Sequence, residues 1–311
     1  DGDLEQLRKK AARILGVRPG ALEELTLVRQ SIDARKKQDV HYVYTVDVSL
    51  RTGEEQAVER TGKKNVSLVL PKPYLFPEVK RRSPSMPVVV GMGPAGLFAA
   101  LFLARNGLPC VVLERGQDVD CRTAQVERFW DSGLLDPSSN VQFGEGGAGT
   151  FSDGKLTTGT HDPRISAVID ALVESGAPED VKWSHKPHIG TDILRQVVKR
   201  IRQELISLGC DVRFGHCLSG LETGSGALSG VWVACEAGRY RLDCDALVLA
   251  PCASSRSRQP SPGPSTAQPG SSCPLRTISW PATCPPAGPP SPSASAPAAR
   301  LWPPPPHRAR W

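Results

Sequence analysis

The sequence lacks the segments that would place it in or across a membrane. It has no apolar run close to the ~18 residues that a membrane-spanning helix requires. It also does not open with the basic-then-apolar pattern of a secretory leader. We therefore expect a cytoplasmic protein with no membrane partner.

Metal-binding and disulfide patterns are missing as well. The six cysteines before residue 250 form no C-x-x-C pair, and no histidines stand at the spacing of a zinc site. Several of these cysteines lie in or beside apolar, strand-like runs, and structural disulfides are rare in the cytoplasm. We predict buried free thiols and no metal site.

The excess of positive charge is confined to the end of the chain. The net charge is +6, and segment 251–311 holds six arginines but no Asp, Glu or Lys. Without those six, 32 basic residues stand against 32 acidic residues. A neutral remainder does not favour a nucleic acid partner. The cluster at Arg35–Lys37 is more typical of a solvated turn than of a binding patch.

A β-α-β pattern occupies residues 87–114. Val88–Val90 is typical of a buried parallel strand and leads into the glycine turn GMGPAG, residues 91–96. Apolar residues at helical spacing follow in Leu97–Arg105, and a second strand ends at Glu114. This order, with G-x-G-x-x-G in the first turn, predicts a dinucleotide-binding unit. A glycine turn that serves only packing is the alternative.

Each glycine of the turn has a predicted role. Gly91 permits the tight turn, Gly93 has no Cβ to keep a pyrophosphate away, and Gly96 lets the helix lie close to the sheet. The helix N-terminus offers N–H groups and a positive dipole end to the phosphates. Glu114 follows Gly96 by 18 residues and can accept hydrogen bonds from ribose hydroxyls. A carboxylate there disfavours a 2′-phosphate, which argues against NADP at this site.

Residues before this unit predict a small α+β domain at 1–72. Residues 3–16 have apolar side chains on one helical face, and Leu25–Val28 and Val40–Leu50 are strand-like. Residues 51–66 are polar and contain turn-forming glycines. Residues 73–86, rich in proline and basic side chains, predict a linker.

Residues 87–250 predict a Rossmann-type domain with a parallel sheet and a β-meander, so the fold class is α/β. The expected elements after Glu114 are a helix from Asp118 to Trp130 with Val119, Thr123, Val126 and Trp130 on one face, a helix from Asp162 to Ser175, a helix capped by Thr191 or Asp192, a strand at 210–214, a hairpin of 228–236 with 239–242, and a strand at 245–250.

A second glycine-rich stretch, GEGGAGTFSDG, covers residues 144–154. Glycines allow sharp bends or close approach to a ligand, and a flexible surface loop is an equally good interpretation. Potentially useful side chains favour a site: Glu145, Thr150, Ser152, Asp153 and Lys155.

Five stretches of the chain resemble a known family. They are SIDARKK (31–37), VVVGMGPAGLFAALFLA (88–104), VLERGQDVD (112–120), FWDSGLLDPSSNVQFGEGGAGTFSDGKLTT (129–158) and KPHIGTDILR (186–195). The family is that of bacterial uncharacterised FAD-dependent dehydrogenases, or NAD(P)/FAD-dependent oxidoreductases. The resemblance implies a glutathione-reductase-like FAD-binding fold, with FAD as cofactor and NAD(P)H as a candidate electron donor. The substrate is unknown.

The resemblance also implies roles for particular residues. Glu114 would bind the adenosine ribose, Arg115 would lie beside the adenosine, and the backbone at Leu218 would contact adenine. The FAD pyrophosphate and flavin would lie against Gly91, Gly93, Pro94, Ala95, Gly96, Gly146, Gly147, Ala148 and Gly149.

Lys155 and His188 are candidates for chemistry at the flavin. A cation such as Lys155 could stand near the pyrimidine edge, and His188 could act as acid or base on the substrate. The alternatives are a solvated lysine and a histidine that only packs beside Pro187. No catalytic residue is inherited from the family.

The composition of the tail, residues 251–311, predicts a disordered segment. It contains 17 of the 29 prolines and no apolar periodicity. A lost reading frame near Pro251 is one explanation, and a genuine disordered extension is the alternative. Because the chain also starts at Asp1 rather than Met, we expect it to be truncated at both ends relative to the family. We expect such a polypeptide to bind FAD weakly or not at all. The alternative functions are an NAD(H)-binding oxidoreductase, or an RNA-associated protein that uses Arg29–Lys37.

Overall fold

The computed structural model describes residues 2–70, 74–77, 85–152, 154–156, 158, 160–251 and 308–310, with backbone only for 2–3 and 308–310. By internal contacts the chain divides into residues 1–255 with 306–311, and residues 256–305. The second unit lies outside the described residues. Within the described part, no helix is both long and apolar enough to span a bilayer.

The N-terminal part is an α+β arrangement, as predicted. Its elements are α1 (Gly2–Leu15), β1 (Leu22–Asp33), β2 (His41–Leu50), α2 (Glu54–Thr61) and β3 (Ser67–Val69). Strands β1 and β2 pair antiparallel, from Leu22 opposite Leu50 to Asp33 opposite His41. The apolar faces of α1, α2 and this hairpin enclose a core of Ala11, Ala12, Leu15, Leu22, Val46, Val48, Leu50, Ala57 and Val66.

Two local predictions in this part are wrong. The strand predicted at Leu25–Val28 extends to Asp33, because antiparallel pairing with β2 supplies backbone partners along its whole length. The polar stretch 51–66 contains the helix α2 rather than only turns. This helix buries Ala57 alone, so its sequence has no apolar periodicity, and Gly53 and Gly62 adopt left-handed conformations at its two ends.

The predicted tail and linker are described only in part. Residues 308–310 form a strand, β11, between β2 and β3 in the order β1-β2-β11-β3. The rest of the tail after Pro251 lies outside the described residues. In the linker, the Phe76 ring lies 4.7 Å from the Phe102 ring of the following domain, so this segment packs against the protein.

The second part has the predicted Rossmann-type architecture. Its helices are α3 (Pro94–Arg105), α4 (Val119–Ser132), α5 (Arg164–Glu174) and α6 (Thr191–Ser207), and its strands are β4 (Val88–Val90), β5 (Val111–Glu114), β6 (Asp211–Phe214), β7 (Cys217–Gly224), β8 (Ala227–Cys235), β9 (Gly238–Asp243) and β10 (Leu247–Leu249). Four strands form a parallel sheet in the order β10-β4-β5-β6. The strand order reverses beside β4, which is where such sheets bind ligands.

The parallel sheet is covered on both faces. Side chains alternate along each strand, so Val89 and Val112 pack against α3, α5 and α6, while Val88 and Val111 face the meander β7-β8-β9. Burial on both faces explains why β4 and β5 are continuous apolar runs rather than alternating patterns.

Three details of the second part differ from prediction. Strand β7 adds a third strand to the predicted hairpin. Its sequence pattern was too weak to predict a strand, because it contains Gly220, Gly224 and several polar side chains. Helix α6 is preceded by Gly190, which has a positive φ of +85°, and Thr191 is its first residue rather than its cap. On α4, Trp130 is 60% exposed and Arg122 lies buried on the inner face instead.

Candidate functional site

Two glycines of the first turn are required by the protein's own backbone. Gly91 has φ +94°, and a Cβ there would lie 2.6 Å from the Ala250 carbonyl oxygen of the adjacent strand end. A Cβ on Gly96 would lie 1.8 Å from the Gly91 carbonyl oxygen. Helix α3 therefore starts in close contact with the turn, as the sequence predicts for these two positions.

Gly93 differs from its two neighbours. Among the described residues, the nearest atom to a Cβ built on Gly93 is the Gly147 Cα, at 4.0 Å, so their packing does not demand a glycine here. Gly93 is the N-cap residue of α3 and has no side chain to cap the helix, and Pro94 occupies the first turn. The helix start thus offers open space and backbone N–H groups, as an anion-binding site requires.

Glu114 holds the turn in place with both carboxylate oxygens. Oε2 accepts a hydrogen bond from the Met92 N–H at 2.6 Å, and Oε1 accepts one from the Gly116 N–H at 2.8 Å. The side chain is buried. Because a carboxylate has about four acceptor positions, two remain for other donors. Its predicted role at a ribose stays a prediction.

The second glycine stretch lies directly against the first. The Gly146 N–H donates to the Met92 carbonyl oxygen at 2.8 Å. Gly147 has φ +65°, and a Cβ there would lie 3.1 Å from the Pro94 Cδ and 3.2 Å from the Gly93 Cα. The fold therefore brings the two predicted glycine segments together, and neither segment by itself indicates this contact.

Beyond Gly147 the loop becomes a short 3-10 helix, Ala148–Phe151. Among the described residues, no atom lies within 4 Å of a Cβ built on Gly149, so this glycine borders open space in the described part of the chain. Thr150 is fully buried, and its hydroxyl lies close to the position of a Cβ on Gly146, so its role is packing. Ser152 is exposed, and Asp153 lies outside the described residues.

A buried arginine of α4 fixes the second glycine stretch. Arg122 is fully buried and donates from three nitrogens to three carbonyl oxygens, those of Asn140 (2.8 Å), Glu145 (2.6 Å) and Val141 (2.9 Å). Burial lowers the pKa of Arg122 to about 10, so the guanidinium stays charged at neutral pH. The loop is therefore held rigid by charge-assisted hydrogen bonds.

Glu145 ties the same loop to two helices. Its Oε2 accepts from the Val119 N–H at the start of α4, at 2.7 Å. Its Oε1 lies 3.1 Å from Arg202 Nε on α6, but the angle is too poor for a hydrogen bond. Complete burial raises the pKa of Glu145 from 4.5 to about 7, against the lowering effect of the nearby Arg202 charge.

Phe151 ends the 3-10 helix between two cations. The guanidinium carbons of Arg122 and Arg195 each lie 4.6 Å from its ring centroid.

These arginines, with Arg202, are the site residues that sequence reasoning missed. Arg122 carried a usable signal, because it lies three residues after Val119 and four before Val126 on the buried face. Arg195 and Arg202 look like solvent-facing charges on an amphipathic helix.

The two candidate catalytic residues are brought together. Lys155 and His188 face each other in an antiparallel bridge, with hydrogen bonds from Leu156 N to Pro187 O and from Ile189 N to Gly154 O. Directly opposed residues of such a bridge project from the same face. Both side chains are exposed, and His188 borders a cavity of about 440 Å³ with Gly190, Thr191, Asp192 and Ile193. Their chemical roles remain predictions.

Arg115 and Leu218 lie near the carboxyl end of β5. Arg115 is exposed and stacks on the Phe143 ring at 4.5 Å. Leu218 follows a turn in which the His216 N–H donates to the Glu114 carbonyl oxygen at 3.0 Å. The Leu218 side chain packs in the core between the meander and the parallel sheet. The turn that leads to Leu218 therefore joins the carboxyl end of β5, where the adenosine contact was predicted.

Two regions of the chain match models of known protein families. Residues 87–186 match the family model described as FAD binding domain, and residues 1–49 match a domain of unknown function. An uncharacterised protein of Clostridium beijerinckii is 43% identical over 265 residues, covering 82% of this chain and 47% of the relative. The chain thus spans about half the length of the curated relative it matches.

Solved structures with a similar local architecture share little sequence identity with this chain. THI4 of Thermovibrio ammonificans is 17% identical with a TM-score of 0.34, covering 53% of this chain and 57% of that chain. OxyS anhydrotetracycline hydroxylase of Streptomyces rimosus is 23% identical with a TM-score of 0.30, covering 53% and 31%. These likenesses carry no functional argument. The family model matches residues 87–186 as an FAD binding domain, and the predicted resemblance to uncharacterised FAD-dependent oxidoreductases is confirmed.

Proposed function

We propose that this chain binds the adenosine-diphosphate half of FAD between its two glycine segments, as part of an FAD-dependent oxidoreductase. The observation that carries the proposal is the approach of Gly147 to Gly93. Two segments more than 50 residues apart meet backbone to backbone, yet among the described residues a Cβ on Gly93 would approach no atom closer than 4.0 Å. Packing does not need a glycine at Gly93, whereas a closely approaching pyrophosphate does.

The residues present fit a diphosphate. The start of α3 supplies N–H groups and the positive end of a 12-residue helix, without a side-chain cap that would compete with a ligand. Gly149 borders further open space beside the same turn. Glu114 has acceptor capacity left for ribose hydroxyls, and Arg115 would lie beside the adenosine.

Bound FAD supplies the hydride-accepting ring, and the protein supplies position and electrostatics. Arg122 and Glu145 hold the second glycine stretch in one conformation, so the site is organised before the cofactor binds. Lys155 and His188 project from one face of their bridge, which makes them a candidate cation and acid–base pair. The substrate and the electron donor are not specified by these contacts.

The test is an FAD titration of the purified full chain, followed by absorbance and fluorescence. Because residues after 250 do not continue the family's pattern, we expect the saturable binding to be weak. Gly93→Ala should weaken it at least 10-fold further, because the added methyl group fills the space of the pyrophosphate. Gly20→Ala is the matched control, since a Cβ on Gly20 meets no atom within 4 Å and the glycine lies outside this domain.

Two results would contradict the proposal: no saturable FAD binding at any concentration, or equal affinity of Gly93→Ala and the unchanged chain. A parallel titration with NADH separates the alternative in which the first β-α-β unit binds NAD(H). If the chain binds NADH but not FAD, and Gly93→Ala abolishes the NADH binding, NAD(H) would replace FAD in the proposal.

A further inference from the structure

Two buried cysteines meet at the edge of the parallel sheet opposite the glycine turns. Cys110 immediately precedes β5 and Cys210 immediately precedes β6, and these strands are neighbours in the sheet. The Asp211 N–H donates to the Cys110 carbonyl oxygen at 3.0 Å, which fixes the relative position of the two strand starts. The glycine turn follows the carboxyl end of β4, so the cysteine pair is separate from the FAD site.

The two thiols are in direct contact. Their sulfur atoms lie 3.7 Å apart, and the Cys110 N–H also points to the Cys210 sulfur at 3.4 Å. A disulfide bond is about 2.05 Å long, so the sulfurs need to approach by roughly 1.7 Å. Adjacent strands lie about 4.8 Å apart, within the Cα separation that disulfides span, so side-chain rotation can supply this movement.

The pair lies just beneath the surface. Cys110 is fully buried and Cys210 is 7% exposed, but Ser207, Leu208 and Gly209, which lead into Cys210, are exposed. A small oxidant thus reaches Cys210 after minor opening of this turn.

The two thiols are not equivalent. The contact with the Cys110 thiol, and then the hydrogen bond from the Cys110 N–H, lower the pKa of Cys210 to about 7, against the effect of burial. The pKa of Cys110 is raised by the same thiol contact and by desolvation. Cys210 is therefore the better thiolate, and the thiolate is the form that reacts with oxidants.

We propose that Cys110 and Cys210 are a redox-active pair that forms a reversible disulfide when the protein meets hydrogen peroxide. The Cys210 thiolate attacks one peroxide oxygen and becomes a sulfenic acid, and the O–O bond breaks to release hydroxide. The Cys110 sulfur then attacks the Cys210 sulfur and displaces the hydroxyl group. The hydroxide and the displaced hydroxyl take up the two thiol protons and leave as two water molecules. The two electrons lost by the sulfurs reduce the peroxide.

Peptide mass spectrometry tests the proposal on the full chain. After treatment with hydrogen peroxide and alkylation of remaining thiols, we expect a cross-linked peptide pair containing Cys110 and Cys210, which a dithiol reductant removes. Three partly exposed cysteines serve as internal controls: Cys121, Cys217 and Cys235. Their thiols should stay reduced in peroxide and should therefore be found alkylated. Failure to find the cross-link, or cross-links that join either cysteine to other thiols, would overturn the proposal.

A variant separates the two chemical steps. In Cys110→Ser the sulfenic acid on Cys210 has no resolving thiol, so a dione reagent specific for sulfenic acids should label Cys210 and no cross-link should form. Cys235→Ser is the matched control and should still form the Cys110–Cys210 cross-link. If folded Cys110→Ser, verified by circular dichroism, shows no label on Cys210, the assigned order of attack is wrong. The cross-link in the unchanged chain is read independently of any variant's folding.

Discussion

Gly147 and Gly93 touch backbone to backbone, with only 3.2 Å between the Gly93 Cα and the place where a Gly147 side chain would begin. This contact closes one wall of the proposed cofactor site. It is reinforced by the hydrogen bond from the Gly146 N–H to the Met92 carbonyl oxygen. The chain therefore fixes the distance between two glycine segments that are far apart in sequence.

Two glycines of the first turn, Gly96 and Gly93, should respond differently to alanine. Gly96→Ala places a methyl group 1.8 Å from the Gly91 carbonyl oxygen, so we expect the free energy of unfolding to fall by about 3 kcal/mol. Gly93→Ala, with φ −70° and open space, should change it by less than about 0.5 kcal/mol while weakening FAD binding. Urea unfolding measures both. Equal stability losses in the two variants would contradict this assignment.

Gly149→Ala tests whether the second glycine stretch faces the cofactor. Its Cβ would meet no protein atom within 4 Å, so stability should be unchanged to within about 0.5 kcal/mol. If the open space beside Gly149 receives FAD, affinity should fall several-fold in the same titration. Gly147→Ala provides the contrast, because φ +65° and the Pro94 contact should also lower stability. Unchanged FAD affinity in Gly149→Ala would place the cofactor elsewhere.

The Arg122 contacts predict a large stability effect. Arg122→Met leaves the carbonyl oxygens of Asn140, Val141 and Glu145 without their charged donor in a buried setting. We expect a loss of about 3–5 kcal/mol in the free energy of unfolding, since a broken buried charge contact leaves partners unpaired. Arg128→Met, at an exposed position of the same helix, is the matched control. A loss below about 1 kcal/mol would contradict the predicted clamp.

Glu145 should give the protein an unusual pH dependence. Its pKa is 4.5 ordinarily and about 7 in the fold, so between these values the folded chain holds a proton that the unfolded chain has lost. The unfolded state then binds fewer protons, and stability contributed by Glu145 falls as pH rises from about 4.5 to 7, then levels off. A shift of this size corresponds to about 3 kcal/mol.

Glu145→Gln removes this titration. The difference in unfolding free energy between the unchanged chain and Glu145→Gln should therefore change by about 3 kcal/mol across that pH window, in favour of the variant at the higher pH. Urea unfolding at pH 4.5, 6 and 7.5 gives the difference directly. Glu127→Gln, an exposed carboxylate on the same helix as Val119, is the control. A difference that stays flat with pH would rule out the buried titration.

Local signals predicted much of the fold. The strand β4, the turn and helix α3 follow from a run of valines, three spaced glycines and helical apolar spacing within 30 residues. Helix α2 and strand β7 escaped prediction, because each is stabilised by neighbours rather than by its own pattern. Helix α2 buries only Ala57, and β7 gains its hydrogen bonds from β8.

The sequence by itself determined the β-α-β unit, the glycine positions and the carboxylate at Glu114, because turn geometry and side-chain period are properties of short segments. Only the tertiary structure decided which segments meet. The contacts of Gly147 with Gly93, of Arg122 with three carbonyl groups and of Cys110 with Cys210 join residues about 20 to 100 positions apart. Such contacts depend on how sheet order and helix packing route the whole chain, and no local pattern encodes that route.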